Sequence, residues 1–440
     1  MPPGAGRVIW DRPAETMPRG QRETLALGRL RATVARLLER VPPIADRLRA
    51  AGVGSAEEVR SLADLPRLPF TRKADLRELY PFGLLAVPRQ EVVRLHASSG
   101  TRGKPTVVAY TGGDLAVWSE VMARSLALAG VRPGMVVHNA LGYGLFTGGL
   151  GFHAGAELVG CTVVPASGGF TQRQVLLLRD LGGEVLVATP SYALNIAGAL
   201  RELGVGPSEL RLKVGLFGAE PWTEEMRLEL ERQLGLRAID CYGLSEVVGP
   251  GVAAECTEVR DGLHVQEDHF LTEVIDPASG QPLGPGQEGE LVLTTLTKEA
   301  LPLLRYRTGD LSSLDTRPCA CGRTTARMAR VRGRIDDMLI VRGVNLYPSE
   351  VERILLGVGD VGPHYQLVLE RPAALDELTV LCEPAGPGVD RESLRARAER
   401  ALREETGIAV AVRIVEIGQI PRSEGKAVRV DDRRAGSRPA

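Results

Sequence analysis

A chain of 440 residues, 44% hydrophobic and 25% charged, has the composition of an ordinary globular protein and the length for about two to four domains. Its 54 basic and 55 acidic side chains nearly cancel, so charge predicts no nucleic acid partner. No apolar run approaches the roughly 20 residues that span a bilayer. The opening MPPGAGRVIWDRP lacks a signal core, and six cysteines form no disulfide framework, so a reducing cytoplasm is expected.

Leu27, Leu30, Val34, Leu37 and Val41 recur at helical spacing and predict an amphipathic helix over 21–41. In the proline-punctuated stretch 64–82, Thr71 stands where it would cap a short helix. Residues 96–111, HASSGTRGKPTVVAYT, bring Ser98, Ser99, Gly100, Thr101 and Gly103 up to Lys104 and a following strand. Glycines admit a phosphate close to the backbone, and the hydroxyls and lysine supply donors and charge. A Walker loop is excluded, because the glycine spacing is wrong and Pro105 follows the lysine where Ser or Thr is needed. The stretch reads as a phosphate loop between strands, or as a polar hairpin turn.

From 131 onward, apolar runs at 135–138, 158–164, 184–188, 212–217 and 236–241 alternate with helical patterns at 170–181, 191–204 and 223–234. This rhythm predicts an α/β fold with a largely parallel, buried sheet and its ligand at the strand ends. Near 271 the pattern turns antiparallel. After Asp336 it becomes a strand at 338–342, a helix at 348–357, strands at 365–370 and 377–382, a helix at 391–406 and a strand at 410–416. Two domains are expected: a large one over 1–335, and a small α+β domain over 336–440.

Four stretches carry possible chemistry. Tyr242, Gly243, Ser245 and Glu246 follow a strand directly and suit a nucleotide with magnesium, or else a turn and helix cap. In Arg305–Asp310, two guanidiniums flank a glycine turn, and Asp310 could hold ribose hydroxyls; a surface ion pair is the other reading. Gly333–Asp337 looks like a hinge, with Gly343 beyond it open to close ligand approach. Lys426 lies in a loop, where a lone lysine is ordinarily just solvated. Separately, Cys256, His264, Cys319 and Cys321 could close a structural zinc site or remain free thiols.

Six motifs stand in one order: SSGTRGKPT, GAEPW at 218–222, YGLSE, YRTGDL, GRIDDMLIVRGVNLYPSEVE and PRSEGKAVRV. Together they resemble the adenylate-forming acyl-CoA synthetase superfamily, and above all its phenylacetate–CoA ligase branch, over about residues 60–432. The resemblance implies that MgATP activates a carboxylic acid to an acyl-adenylate, and that CoA then takes the acyl group. By position, Ser98 to Lys104 would cover the β- and γ-phosphates. Gly218, Ala219, Glu220 and Pro221 would line the adenine pocket with Tyr242. Glu246 would hold magnesium, Asp310 the ribose, and Arg334 would lie near ribose and phosphate. Asp336 would be the hinge, Lys426 the adenylation lysine, and Gly343 a point on the CoA path. The Cys/His set is similar to a zinc site of this branch, and the family suggests a homodimer.

Tyr143, Phe146, Thr147 and Gly148, with Gly218 and Ala219 opposite, are expected to form the pocket for a flat aryl acid such as phenylacetate, benzoate, hydroxybenzoate or anthranilate. The alternative is that they only pack the sheet edge. Two competing functions remain at this level: loading of an aryl acid onto a carrier-protein phosphopantetheine, and non-catalytic nucleotide binding.

Overall fold

The computed structural model describes residues 9–98, 105–342, 344–371 and 376–434. A nine-stranded sheet dominates. Thr162–Val164, Val136–Asn139, Val185–Ala188, Val214–Gly218 and Arg237–Leu244 lie side by side and parallel. Gly249–Glu255, Leu263–Val265, Arg327–Met328 and Leu314–Asp315 extend it antiparallel. The central strands are apolar along their length because helices cover both faces.

A second, antiparallel sheet orders Phe270–Ile275, Gly289–Thr295, Tyr306–Ser312 and Gly333–Arg334. Its last pairing sets Asp310 opposite Arg334. Residues 339–432 build a third unit with its own core. There Ala411–Ile414, Glu377–Pro384, Val361–Glu370 and Val430–Asp432 form a sheet, with helices Pro348–Gly357 and Arg391–Thr406. Among the described residues, no helix is long and apolar enough to cross a membrane.

Three local expectations fail, each for a physical reason. The strand expected at 158–164 begins only at Thr162, because helix Gly148–Val159 runs through its start. That glycine-rich helix has poor intrinsic propensity. It survives by close packing on helix Gly112–Leu128: a Cβ on Gly155 would stand 2.4 Å from that of Met122. Thr71 caps nothing. Its hydroxyl donates to the Leu304 carbonyl at 2.8 Å, and the Asp75 carboxylate accepts the Arg72 N–H at 2.7 Å instead. Ser245 and Glu246 open no helix but lie in the turn before Gly249–Glu255.

Arg124 is the buried knot of the N-terminal half. Its Nη1 donates to both Asp268 oxygens at 2.9 and 3.0 Å, and its Nη2 reaches Asp11 at 3.0 Å and also Glu120. Arg124→Met is expected to cost about 3 kcal/mol by leaving Asp268 buried with weaker partners. A lowered unfolding midpoint in denaturant measures this, and Arg124→Lys should recover only part because it lacks the fork.

Candidate active site

The ends of the parallel strands, the second sheet and one loop of the third unit surround a cavity of about 560 Å³. Strand Val214–Gly218 ends on it with Gly218, where a Cβ would stand 2.0 Å from the Cys241 carbonyl oxygen, so no larger residue fits. Ala219 follows with φ of 71°, a left-handed conformation that costs a non-glycine residue about 1–3 kcal/mol and clusters at functional sites. The next strand delivers Tyr242, Gly243, Ser245 and Glu246 to the same wall.

Tyr242 links the two sheets by donating its hydroxyl to Asp310 Oδ2 at 2.7 Å. Burial raises the Asp310 pKa, and Arg334, with Nε 3.5 Å from Oδ1, opposes the rise. Glu246 faces Lys73, whose Nζ is 3.7 Å away, and Ser245 Oγ lies 2.9 Å from Thr147 Oγ1. Lys426 enters from the third unit with Nζ 5.9 Å from the centre of the Phe146 ring. Although Lys426 is exposed to solvent, partial desolvation by the surrounding wall, then repulsion from Arg334, lowers its pKa, while Glu220, Glu246 and Asp310 pull the other way.

The fold thus brings Ser98, the four residues 218–221, Tyr242, Gly243, Ser245, Glu246, Asp310, Arg334 and Lys426 to one cavity, with Phe146, Thr147 and Gly148 on its wall. Tyr143 does not line it. Its hydroxyl accepts from Asn139 Nδ2 at 2.9 Å and lies 3.1 Å from His153 Nδ1. Asp336 sits outside on an exposed turn, 3.8 Å from Arg334. Arg305 and Arg307 are spent on structure, paired with Glu273 at 2.8 Å and Glu290 at 2.8 Å. Ser99, Gly100, Thr101, Gly103, Lys104 and Gly343 lie outside the described residues.

Sequence reasoning missed Lys73 and Arg77, which face the cavity from the short helix Lys73–Glu78, and Asp240, one turn of strand before Tyr242. No local signal marks the two cations, since the anion that faces Lys73, Glu246, stands far along the chain. Asp240 could have been found as a carboxylate in an otherwise apolar strand. Burial and then nearby Glu255 push its pKa up.

On the far side of the sheet, Cys256, His264, Cys319 and Cys321 gather with all four ligand atoms within 4.8 Å of one another and every residue buried. Cys256 Sγ and Cys319 Sγ are 3.8 Å apart, and Cys321 Sγ is 3.4 Å from His264 Nε2. Zn–S bonds of about 2.3 Å at tetrahedral angles would separate two sulfurs by about 3.8 Å. His264 Nδ1 lies 2.9 Å from Thr325 Oγ1, a partner that leaves Nε2 for a metal. The donor set and spacing fit zinc.

Residues 84–296 match the AMP-binding enzyme family, and residues 343–434 match the AMP-binding enzyme C-terminal domain. The phenylacetate–coenzyme A ligase of Thermus thermophilus is 52% identical over 432 residues, covering 94% of this chain and 97% of that protein. That of Escherichia coli is 49% identical, covering 96% and 97%. Among solved structures, 2-hydroxyisobutyryl-CoA ligase in its postadenylation state superposes with a TM-score of 0.91 at 31% identity, over 98% of this chain and 94% of that one. The same ligase in its thioesterification state reaches 0.73, over 99% and 94%. This chain belongs to the phenylacetate–coenzyme A ligase family of AMP-forming acid–CoA ligases.

Proposed function

We propose that the protein activates phenylacetate with ATP to phenylacetyl-adenylate and transfers the acyl group to CoA. One observation carries this reading: Lys426, Arg334, Asp310 and Glu246 converge on a single cavity whose apolar wall includes Phe146. The relatives' identity over nearly the whole chain favours phenylacetate above benzoate, hydroxybenzoate or anthranilate.

The chemistry follows from charge. The carboxylate oxygen attacks the α-phosphorus, the bond from that phosphorus to the bridging oxygen breaks, and pyrophosphate leaves with the electron pair. Both reactants are anions, so cations must stand between them. Lys426 supplies a compact charge at the α-phosphate and the acid. Lys73 stands beside Glu246, Arg77 lines the same cavity, and both cations would favour the leaving pyrophosphate. Asp310 accepts the ribose hydroxyls, with Tyr242 fixing its orientation. A magnesium ion, which Glu246 would hold, neutralises phosphate charge. The CoA thiolate then attacks the acyl carbon, and AMP departs.

The better match to the postadenylation state supports the reading that residues 1–335 and 336–440 are two domains, arranged here for the first half-reaction. Asp336 would be the hinge for the second. The family further supports a cytoplasmic homodimer. In the same reading, the Cys/His cluster holds structural zinc and fastens the 319–325 loop. That loop also grips the N-terminal segment through Arg323 and Glu15.

Pyrophosphate exchange across these acids, with thioester formation measured on adding CoA, tests the proposal. Phenylacetate should give the highest kcat/KM, and a better benzoate or anthranilate rate would overturn the substrate assignment. Lys426→Ala should lower exchange by about a hundredfold or more while sparing thioester formation from pre-made adenylate. Equal loss in both steps would remove Lys426 from its role. Metal analysis of the purified protein should find one zinc per chain, about one equivalent, lost in Cys321→Ser together with thermal stability.

A further inference from the structure

The loop that carries Lys426 is gripped by its backbone. Asn195 donates to the Ser423 carbonyl, Thr189 Oγ1 donates to the Gly425 carbonyl at 2.9 Å, and the Ala427 N–H donates to Glu220 Oε2 at 2.8 Å. Alternate residues 423, 425 and 427 are thus held by the large part of the molecule, while Lys426 between them lines the cavity. Gly168 makes room on the other side, since a Cβ there would stand 2.9 Å from the Glu424 carbonyl oxygen.

The gripping residues are themselves fixed to one helix. Glu220 Oε1 accepts the Ser191 N–H at 2.7 Å, and Thr189 Oγ1 accepts the Tyr192 N–H at 3.2 Å. Both amides lie in the first turn of helix Pro190–Glu202, whose free N–H groups favour a carboxylate. Each Glu220 oxygen is therefore engaged by a main-chain amide. Glu220 thus stands on the cavity wall with both carboxylate oxygens committed to backbone, one of them to the loop.

We propose that Glu220, assisted by Thr189, is a positioning residue for Lys426: a clasp on the loop backbone that sets the lysine for adenylation and releases it for thioester formation. The inference rests on the adenylation role proposed above. Besides the clasp, the Thr223 N–H donates to Glu352 Oε1 at 3.3 Å, Ser349 donates to the Arg332 carbonyl and Leu356 packs on the core of the large part. Rotation of the small part would carry away residues 423–427 and Arg429, which stays with Glu352 at 3.5 Å and leaves Ser191 Oγ at 3.4 Å. A handful of hydrogen bonds suits a contact that opens in every turnover.

Full-length Glu220→Ala, Glu220→Gln and Thr189→Val proteins test this in two assays: pyrophosphate exchange with ATP and phenylacetate, and thioester formation from pre-made phenylacetyl-adenylate and CoA. Glu220→Ala should lower the exchange kcat by about ten- to a hundredfold, with KM for ATP changed by less than about twofold. Thioester formation should fall by less than about threefold. Glu220→Gln, which keeps an acceptor for one amide, should recover part of the exchange, and Thr189→Val should show the same split more weakly. A raised KM for ATP at unchanged kcat would make Glu220 a nucleotide contact and overturn the clasp. So would equal loss in both assays, or undiminished exchange. Should Glu220→Ala not fold, Glu220→Gln against Thr189→Val gives the same comparison. Failure of the wild-type protein to exchange pyrophosphate would instead refute the adenylation reading itself.

Discussion

An exposed ammonium at the cavity wall, beside Arg334 and with no bonded counter-ion among the described residues, is the constraint on which this structure turns. Lys426 stays open to solvent, yet crowding at the cavity wall and then Arg334 lower its pKa. The anions of the cavity, Glu220, Glu246 and Asp310, offset that shift only in part. In the proposed cycle, the negative charge of a triphosphate and a carboxylate would favour the docked loop. By linkage, the docked loop favours those ligands equally. In the same proposed cycle, departure of pyrophosphate would remove much of that charge and shift the balance toward undocking.

The rigid part of the site is built to make this balance steep. Asp310 and Arg334 face each other through strand register, so their separation is set by the backbone. Tyr242 crosses from the large sheet to bind Asp310, which joins the two sheets at the point where they meet the ligand. Arg124 ties helix Gly112–Leu128 to Asp11 and Asp268, and Cys256, His264, Cys319 and Cys321 gather in a buried cluster.

The alternating strands, the antiparallel unit and the small C-terminal unit were legible because each has a clear apolar period and turn residues at its ends. Helix Gly112–Leu128 was not, because its second half, residues 121–128, is buried throughout and shows no alternation of apolar and solvent-facing positions. Helix Gly148–Val159 was hidden by its glycines, whose reason lies in a neighbouring helix. In the site, Asp310, Glu246 and Lys426 could be named from ordered motifs. Lys73 could not, since its partner Glu246 is distant in sequence and only the fold brings them to 3.7 Å. Tyr143 was read as facing the acid from its aromatic ring alone, and Asn139 and His153 turn it elsewhere.

Lys426 shows most sharply why position in sequence says little about such a residue. Its neighbours Ser423, Glu424 and Gly425 form no motif with a mechanism of its own, because what the large part recognises is carbonyls and an amide. Backbone recognition fixes where the loop lies yet demands little of its side chains beyond small size near Gly168. It also solves a problem that side-chain ion pairs would create. In the proposed role, a salt bridge strong enough to hold Lys426 would neutralise the charge meant for the α-phosphate, whereas bonds to residues 423, 425 and 427 do not involve the ammonium. Positioning and charge are thereby assigned to different atoms of one short segment.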